Sequence, residues 1–375
     1  MASVFVYGSL RHRPLLDMIL GAARDVRIDS ARLPEHGVYW VKDEAFPIIV
    51  EQPGVVAEGL YINGLDADDL KRLDFYEGGF DYALVTVTVE TGQGPRKAQA
   101  YFPQAGRWAV GEPWSLADWQ RDWAAISLRA ASEAMGLFGQ ISAADLARWL
   151  PQIRVRAASW VRAQSQLSPM ALRRGLTAGE VKVENSARPY RKFFAIDEHL
   201  LRYRRFDGNM SAPVSLAAFV SGDAVTVLPY DPVRDRVMLI EQFRLGPFVR
   251  GDTHPWSLEP IAGRIDPGEL PEDAARREAI EETGLILQGL EQIARYYPTP
   301  GAATEYLFSY VAVADLPDDI AGLGGEESEV EDIRSLLLSF DELQDLLASG
   351  EAENGPLIMS ALWLAAHRSR LRGDA

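Results

Sequence analysis

The sequence predicts an α/β (α+β) chain made of two strand-rich halves joined by a helical connector. Three observations predict it. Residues 1 to about 112 read as short strands cut by Gly and Pro turns. From Trp114 to about Gln164, Ala, Arg and Trp recur at helical spacing. Strands then resume from about Gly179 around one long charged helix. With 375 residues, two domains or more are expected, and 47% hydrophobic residues suffice for packed cores. The expected divisions are 1–112, a connector over 113–177, and 178–375.

In the first half, strands are expected at 4–7, 46–51, 57–62, 82–90 and 98–102. In the connector, Ser115 and Ser142 are N-cap residues in type and position. Pro151 should kink or restart the second helix, and Trp119, Trp123, Trp149 and Trp160 should pack the connector. Residues 165–177 look like a loose boundary. Beyond it strands are expected at 181–184, 191–197, 200–206, 225–230 and 237–243, with a closing helix from about Pro356. The alternation of strands and helices suggests an α/β sandwich for this half.

Composition excludes several classes of function. The chain has no cysteine, which removes disulfides, thiolate nucleophiles and zinc–thiolate sites. Its five histidines have no ligand-like spacing. A net charge of −16 argues against a nucleic-acid or anionic-membrane surface, yet suits an enzyme that holds anionic substrates through metal ions. The opening apolar run is too short for a signal peptide and the run near 357–366 too short to span a bilayer, so a cytoplasmic protein is expected.

The most specific segment is GRIDPGELPEDAARREAIEETGL, from Gly263 to Leu285. Pro271 suits a first helical turn, Glu272 and Asp273 complement its dipole, and Gly284 is a natural stop. Ala275, Ala279 and Ile280 offer a packing face. Glu278, Glu281 and Glu282 crowd one side of the helix, and Arg277 relieves only part of their repulsion. A hard divalent cation would relieve the rest, since oxygen ligands on a rigid helix are what Mg²⁺ accepts. Glu269, on the preceding loop, can reach the same cluster.

This segment fills the pattern G-x5-E-x7-R-E-U-x-E-E-x-G-U and resembles the box of the Nudix hydrolases. At roughly 7% usage per fixed residue, its seven fixed positions coincide by chance on the order of once in 10^8 starts. The resemblance implies an α/β/α sandwich and cleavage of nucleoside diphosphates linked to another moiety. The runs VLPYDPVRDRVMLIEQFR, LEPIAG, YPTPG and EVEDIR, with Pro300 fifteen residues beyond Leu285, resemble the ADP-ribose pyrophosphatase branch. That likeness implies release of AMP and ribose 5-phosphate from ADP-ribose or a close ADP-sugar, with Mg²⁺ (or Mn²⁺) as cofactor. It implies metal ligands at Glu278, Glu282, Glu331 and the carbonyl of Ala262. It assigns catalysis to Glu329, which would orient or deprotonate the attacking water, together with Glu281 and Arg277. Arg244 and Glu305 would grip the substrate, although Arg244 suits a structural salt bridge equally well. A homodimer formed by exchange of strands over 181–206 is also implied. One departure stands out: where the branch commonly carries a basic pair after the FDGNMS run, this chain reads APVSLAAF.

In the first half, VFVYGSL, FPIIV, EGLYINGL and LDFYEGGFDY occur in order and resemble the γ-glutamylcyclotransferase-like (AIG2-like) fold. The likeness implies a mixed β-barrel. Backbone N–H groups at Gly8 and Ser9 could cradle a carboxylate, so Tyr7, Gly8, Ser9 and Leu10 are the expected binding loop and Glu77 the expected proton shuttle. Ringed by Phe75, Tyr76, Phe80 and Tyr82, Glu77 would have a raised pKa and could help cyclise a γ-glutamyl amine to 5-oxoproline. It could equally cap the turn before Gly78, leaving a small-molecule binding module that regulates the hydrolase. The two-part order also resembles proteins associated with tellurite resistance, though no residue speaks of tellurite.

Overall fold

A computed structural model describes residues 2–21, 26–80, 82–104, 106–166, 169–325 and 331–373, with the side chain of Phe80 outside the description. The chain forms two compact units, Met1–Ser168 and Pro169–Ala375.

The first unit contains β1 (Ala2–Val6), α1 (Arg13–Leu20), β2 (Arg27–Val41), β3 (Pro47–Leu65), α2 (Ala67–Glu77), β4 (Tyr82–Thr91), β5 (Gly94–Pro103), β6 (Val110–Pro113), α3 (Leu116–Asp122), α4 (Ala124–Met135) and α5 (Ala143–Ser165). The order β3-β1-β5-β4-β2 closes on itself because β2 pairs again with β3. Closure leaves no exposed sheet edge in the ring. The β1–β5 pairing is parallel and the others antiparallel, so this is the mixed barrel expected from the sequence.

Two long strands depart from expectation. Residues 27–41 carry Pro34, Glu35 and Gly37, a turn-like signature, yet they form one strand. The register shifts between Pro34 and His36, and Glu35 takes φ 58°, so the irregularity is a bulge inside the strand. Its partner β3 likewise runs through Pro53 and Gly54, joining the two strands expected at 46–51 and 57–62. Helix α1, which was not expected, buries Leu15, Leu16, Ile19 and Leu20.

Ser115 and Ser142 cap α3 and α5, accepting from the amides of Asp118 and Asp145. Pro151 does not restart the helix: α5 is one helix over 143–165 with the proline inside it. Pro151 is exposed while Leu146, Ile153 and Ala157 are buried, so packing holds both halves of the helix together. Trp119 is buried, and Trp123 and Trp149 pack against the same cores. Trp160 does not: it is 46% exposed, with the Arg129 guanidinium over its ring. Helices α3 to α5 pack within the first unit, where Ala124 and Ala131 share a core with β1 and α1.

The second unit contains β7 (Val181–Arg191), β8 (Ala195–Tyr203), β9 (Val214–Val220), β10 (Ala224–Asp231), β11 (Arg236–Phe243), α6 (Leu245–Arg250), β12 (Trp256–Glu259), β13 (Ile261–Arg264), α7 (Pro271–Thr283), β14 (Gly289–Tyr296), β15 (Leu307–Val313), β16 (Leu323–Gly324), β17 (Ile333–Ser339), α8 (Phe340–Ser349) and α9 (Gly355–Arg372). A mixed sheet in the order β14-β15-β10-β11-β17-β16, with β12 beside β11 and β13 beside β10, forms its middle layer. Side-chain alternation sorts the core into two faces. Val225, Val227, Met238 and Ile240 face the alanines of α7. Leu228, Tyr230, Val237 and Leu239 face Leu343 of α8 and Leu357, Ala361 and Leu364 of α9. This is the expected α/β/α sandwich. A separate antiparallel sheet, β7-β8-β9, precedes it. Strand β9 falls on the APVSLAAF run, for which no strand was expected, and the strands expected at 191–197 and 200–206 resolve into the single strand β8. Among the described residues no helix is long and apolar enough to cross a membrane.

Candidate active sites

Helix α7 begins with Pro271 in its first turn, carries Glu272 and Asp273 there, and stops at Gly284 with φ 69°. Its packing face is Ala274, Ala275 and Ala279. Ile280 is 55% exposed, contrary to expectation, because it lies about 100° round the helix from Ala279.

Arg277 is the hub of the acidic face. Its guanidinium donates from Nε to Oε1 of Glu269 (2.9 Å) and from Nη2 to Oε2 of Glu269 (3.0 Å). Nη1 reaches Glu278 and Glu281, each at 2.8 Å, and Nη2 also donates to the carbonyl of Arg264 at 2.9 Å. The box arginine thus ties the helix to β13 and to the preceding loop. Gly263 permits the approach: a Cβ there would lie 1.8 Å from the carboxyl carbon of Glu278.

Glu282 is almost wholly buried and accepts from the Ala262 amide at 3.2 Å. Its pKa is pushed up to about 9, chiefly by burial, with Glu278 and Glu331 adding to the rise and the Ala262 amide and Arg244 opposing it. Burial also lifts Glu278, to about 7, against the pull of Arg277. The buried Glu282 and the part-buried Glu278, with Glu331 in their field, gather negative charge that Arg277 and Arg244 offset only in part. This donor set suits a hard divalent cation, with Glu278 and Glu282 as the residues that would hold it and Glu331 close enough to be felt by both. Among the described residues no three Asp, Glu, His or Cys side chains already converge as a ligand set. Glu331 opens the described segment after residue 330, and Glu329 lies outside the described residues.

Arg244 forms a two-pronged pair with the buried Glu259, from Nε at 3.0 Å and Nη2 at 2.6 Å. The salt bridge weighed for Arg244 is therefore present, and its guanidinium also lies in the field of Glu282 and Glu331. Glu305 is raised by burial and pulled down by Arg244 and Arg264, which places it on the same side of the unit. Sequence reasoning assigned no role to Glu259, Arg264 or Asp223. Glu259 sits inside the LEPIAG run, but nothing in a sequence tells which arginine it meets.

In the first unit an open cavity is lined by Tyr7, Gly8, Ser9, Leu10, Glu77 and residues of α4 and α5. The loop and the carboxylate expected to act together do share one site. Glu77 is the last residue of α2, and burial pushes its pKa up to about 7. Its ring of aromatics differs from expectation. Tyr76 and Tyr82 line the cavity, as do Tyr7 and Tyr101, whereas Phe75 turns away to pack on Ile126 and Phe138. The side chain of Phe80 lies outside the described residues. Tyr7 donates to the carbonyl of Tyr101 at 2.7 Å, and Tyr101 donates to Asp74. Burial raises all four tyrosines, so they remain neutral hydroxyls around the carboxylate.

A sandwich whose box helix turns buried carboxylates toward a glycine on β13 defines a Nudix-type hydrolase, and the NUDIX domain model matches residues 220–360. A second model, gamma-glutamyl cyclotransferase, AIG2-like, matches residues 4–121. The chain belongs to the Nudix family, as an ADP-ribose-pyrophosphatase-like domain fused to an AIG2-like domain. It is 38% identical over 201 residues to the ADP-ribose pyrophosphatase of Escherichia coli, covering 53% of this chain and 95% of that protein. The ADP-ribose pyrophosphatase of Haemophilus influenzae is 30% identical over 185 residues, 49% of this chain and 85% of its own. The GDP-mannose pyrophosphatase of Pectobacterium atrosepticum is 31% identical over 167 residues, 44% and 84% respectively. The likeness to tellurite-resistance-associated proteins has no support in these comparisons.

Proposed function

We propose that the second unit hydrolyses the pyrophosphate bond of ADP-ribose, or a close ADP-sugar, to AMP and ribose 5-phosphate. The observation that carries this reading is the pair of carboxylates, the buried Glu282 and the part-buried Glu278, held against Ala262 and Gly263 by a backbone amide and Arg277. Bound there, Mg²⁺ (or Mn²⁺) would neutralise phosphate charge and make hydroxide available near neutral pH. Glu278, Glu282, Glu331 and the Ala262 carbonyl are the ligands in this reading. Arg277 and Glu281 fix the carboxylates in place, and Glu329 orients the attacking water. Arg244 and Glu305 grip the substrate, Arg244 being aligned for this by Glu259. The adenine-containing substrate is favoured because relatives at 38% and 30% identity are ADP-ribose pyrophosphatases. The GDP-mannose pyrophosphatase makes another nucleoside-diphosphate sugar the alternative.

A homodimer joined through β7–β9 belongs to the same proposal. That sheet leaves Val181, Val183 and Leu216 between 40% and 51% exposed in a single chain, and light scattering would give the mass. The first unit is proposed as a γ-glutamylcyclotransferase-type lyase with Glu77 as proton shuttle and the Tyr7–Leu10 loop as its binding loop. The cavity that brings this loop and Glu77 together supports the reading. The hydrolase reading is tested by nucleoside monophosphate release from ADP-ribose and GDP-mannose, with and without Mg²⁺. Metal-dependent preference for ADP-ribose is expected, and absence of cleavage of either compound would overturn it.

A further inference from the structure

Helix α2 is well capped at its start and poorly stopped at its end. Asp66 and Asp69 form a reciprocal capping box at its N-terminus. The last turn, Asp74 to Glu77, places two acids and no base at the negative end of the helix dipole. Gly78, which follows, is right-handed (φ −73°) rather than the left-handed residue that closes many helices. A turn of this kind frays unless tertiary contacts hold it.

Strand β5 supplies such a contact. The Tyr101 hydroxyl donates to Oδ1 of Asp74, and the Tyr101 carbonyl accepts from the Tyr7 hydroxyl at 2.7 Å. Asp74 stands three residues before Glu77, so both side chains leave α2 on one side. A chain of contacts thus runs from the loop at Tyr7, through Tyr101, to the turn that ends in Glu77. Tyr7, Tyr76, Tyr82 and Tyr101 line the cavity with Glu77, as does Arg154 from α5. Burial is what raises the Glu77 pKa, so the raised value reports that the carboxyl is held inside.

We propose that Asp74 is a positioning residue for Glu77: by accepting from the Tyr101 hydroxyl it ties the end of α2 to β5 and keeps the Glu77 carboxyl in the cavity, at a fixed span from the Tyr7–Leu10 loop. Its part in turnover rests on reading the cavity as a γ-glutamyl lyase site, whereas its hold on Glu77 does not. In that reaction the ligand's α-amine nitrogen bonds to its γ-carbonyl carbon, and the bond from that carbon to the leaving nitrogen breaks. Glu77 passes the proton from the first nitrogen to the second, giving 5-oxoproline and a free amine. A carboxyl that must meet two nitrogens in turn tolerates little displacement, and about 1 Å is enough to slow such a step a hundredfold.

The test uses the full chain with Asp74→Ala, Asp74→Asn and Tyr101→Phe. Carbon-13 NMR follows the titration of the Glu77 carboxyl, identified as the resonance missing from Glu77→Gln. The native carboxyl should titrate near 7, and Asp74→Ala and Tyr101→Phe should move it down toward 4.5 as the freed turn meets water. Asp74→Asn keeps an acceptor for Tyr101 without the charge, so it should stay near the native value. Release of 5-oxoproline from γ-glutamyl-ethylamide should fall in kcat by about tenfold or more in Asp74→Ala, with a smaller change in KM, and be largely restored in Asp74→Asn. A Glu77 carboxyl that still titrates near 7 in both Asp74→Ala and Tyr101→Phe overturns the proposal. So does a fall in Asp74→Asn equal to that in Asp74→Ala, since charge and not the hydrogen bond would then be at work. If the titrations move as expected but the native protein releases no 5-oxoproline, the hold on Glu77 stands and the lyase reading falls. If the native protein is active and Asp74→Ala matches its kcat, the lyase reading stands and the part of Asp74 in turnover is overturned.

Discussion

A Cβ on Gly263 would sit 1.8 Å from the carboxyl carbon of Glu278, closer than any two non-bonded atoms can stand. The glycine of β13 is therefore what lets the Glu278 carboxylate take its place. The backbone at Gly263 is not in the left-handed region, so a Cβ there would displace the Glu278 carboxylate without straining the chain.

Gly263→Ala is expected to fold and to lose hydrolysis by about a hundredfold or more, because Glu278 must leave its place beside Arg277. Circular dichroism and metal-dependent turnover check this together. Near-native turnover would show that the position of Glu278 is dispensable.

Glu282→Gln should lower metal-dependent turnover by roughly a thousandfold, about 4 kcal/mol of barrier. The same change should abolish stabilisation by Mg²⁺, expected in the native protein at about 1.4 kcal/mol for a tenfold excess over Kd. Calorimetry with and without the ion reads the second effect independently of any substrate. A melting temperature that still rises with Mg²⁺ in Glu282→Gln would place the ion elsewhere.

Glu77 has a pKa near 7 when folded against an ordinary carboxylate value of 4.5, burial being the cause. The folded chain holds its proton where the unfolded chain has already released it. Stability should therefore fall as pH rises from about 4.5 to about 7 and level off above, by on the order of 2–3 kcal/mol. Glu77→Gln should remove that slope. As a base Glu77 must be ionised, so γ-glutamyl turnover should rise through the same interval. An unchanged pH profile of denaturant midpoints in Glu77→Gln would show that this carboxyl titrates normally.

The box helix could be read almost whole from the sequence, because Pro271, Glu272, Asp273 and Gly284 act locally, through caps and the helix dipole. Strand β2 could not. Pro34, Glu35 and Gly37 spell a turn, and only pairing with β3 converts it into a bulge. Ile280 and Phe75 were misplaced for a related reason: a hydrophobic side chain announces burial but not the face that receives it. Arg154 and Tyr101 carry no local signal at all, being brought to Glu77 by the packing of α5 and the closure of the barrel. Motifs built from neighbours in sequence were legible; constellations built by topology were not.

Gly79 tests whether α5 is integral to the barrel unit. A Cβ there would meet the carbonyl oxygen of Ala143 at 2.3 Å and the Cβ of Ala147 at 2.8 Å. Gly79→Ala must push α5 outward, an overpacking worth about 1–3 kcal/mol. The melting temperature of the first unit should fall, with fluorescence of Trp119 and Trp123 reporting the loosened helices. A change within about 0.5 kcal/mol would mean that α5 yields without cost.

The last pair to separate is Arg244 and Glu259. Glu259 is 4% exposed and its two-pronged partner is the half-exposed Arg244, so removing either leaves a different problem. Arg244→Ala strands a buried carboxylate and should cost about 1–3 kcal/mol of stability, discounted for the solvent that reaches the arginine. It should also raise KM for the nucleotide substrate. Glu259→Gln keeps the arginine but unties one prong, so KM should rise about tenfold with little change in stability. The double variant Arg244→Ala/Glu259→Leu should recover stability without recovering affinity, since the buried charge is gone but so is the grip on the substrate. If Arg244→Ala loses stability alone, with KM unchanged, Arg244 is only the structural partner of Glu259, and substrate recognition in this unit must be sought at Arg264 and Glu305.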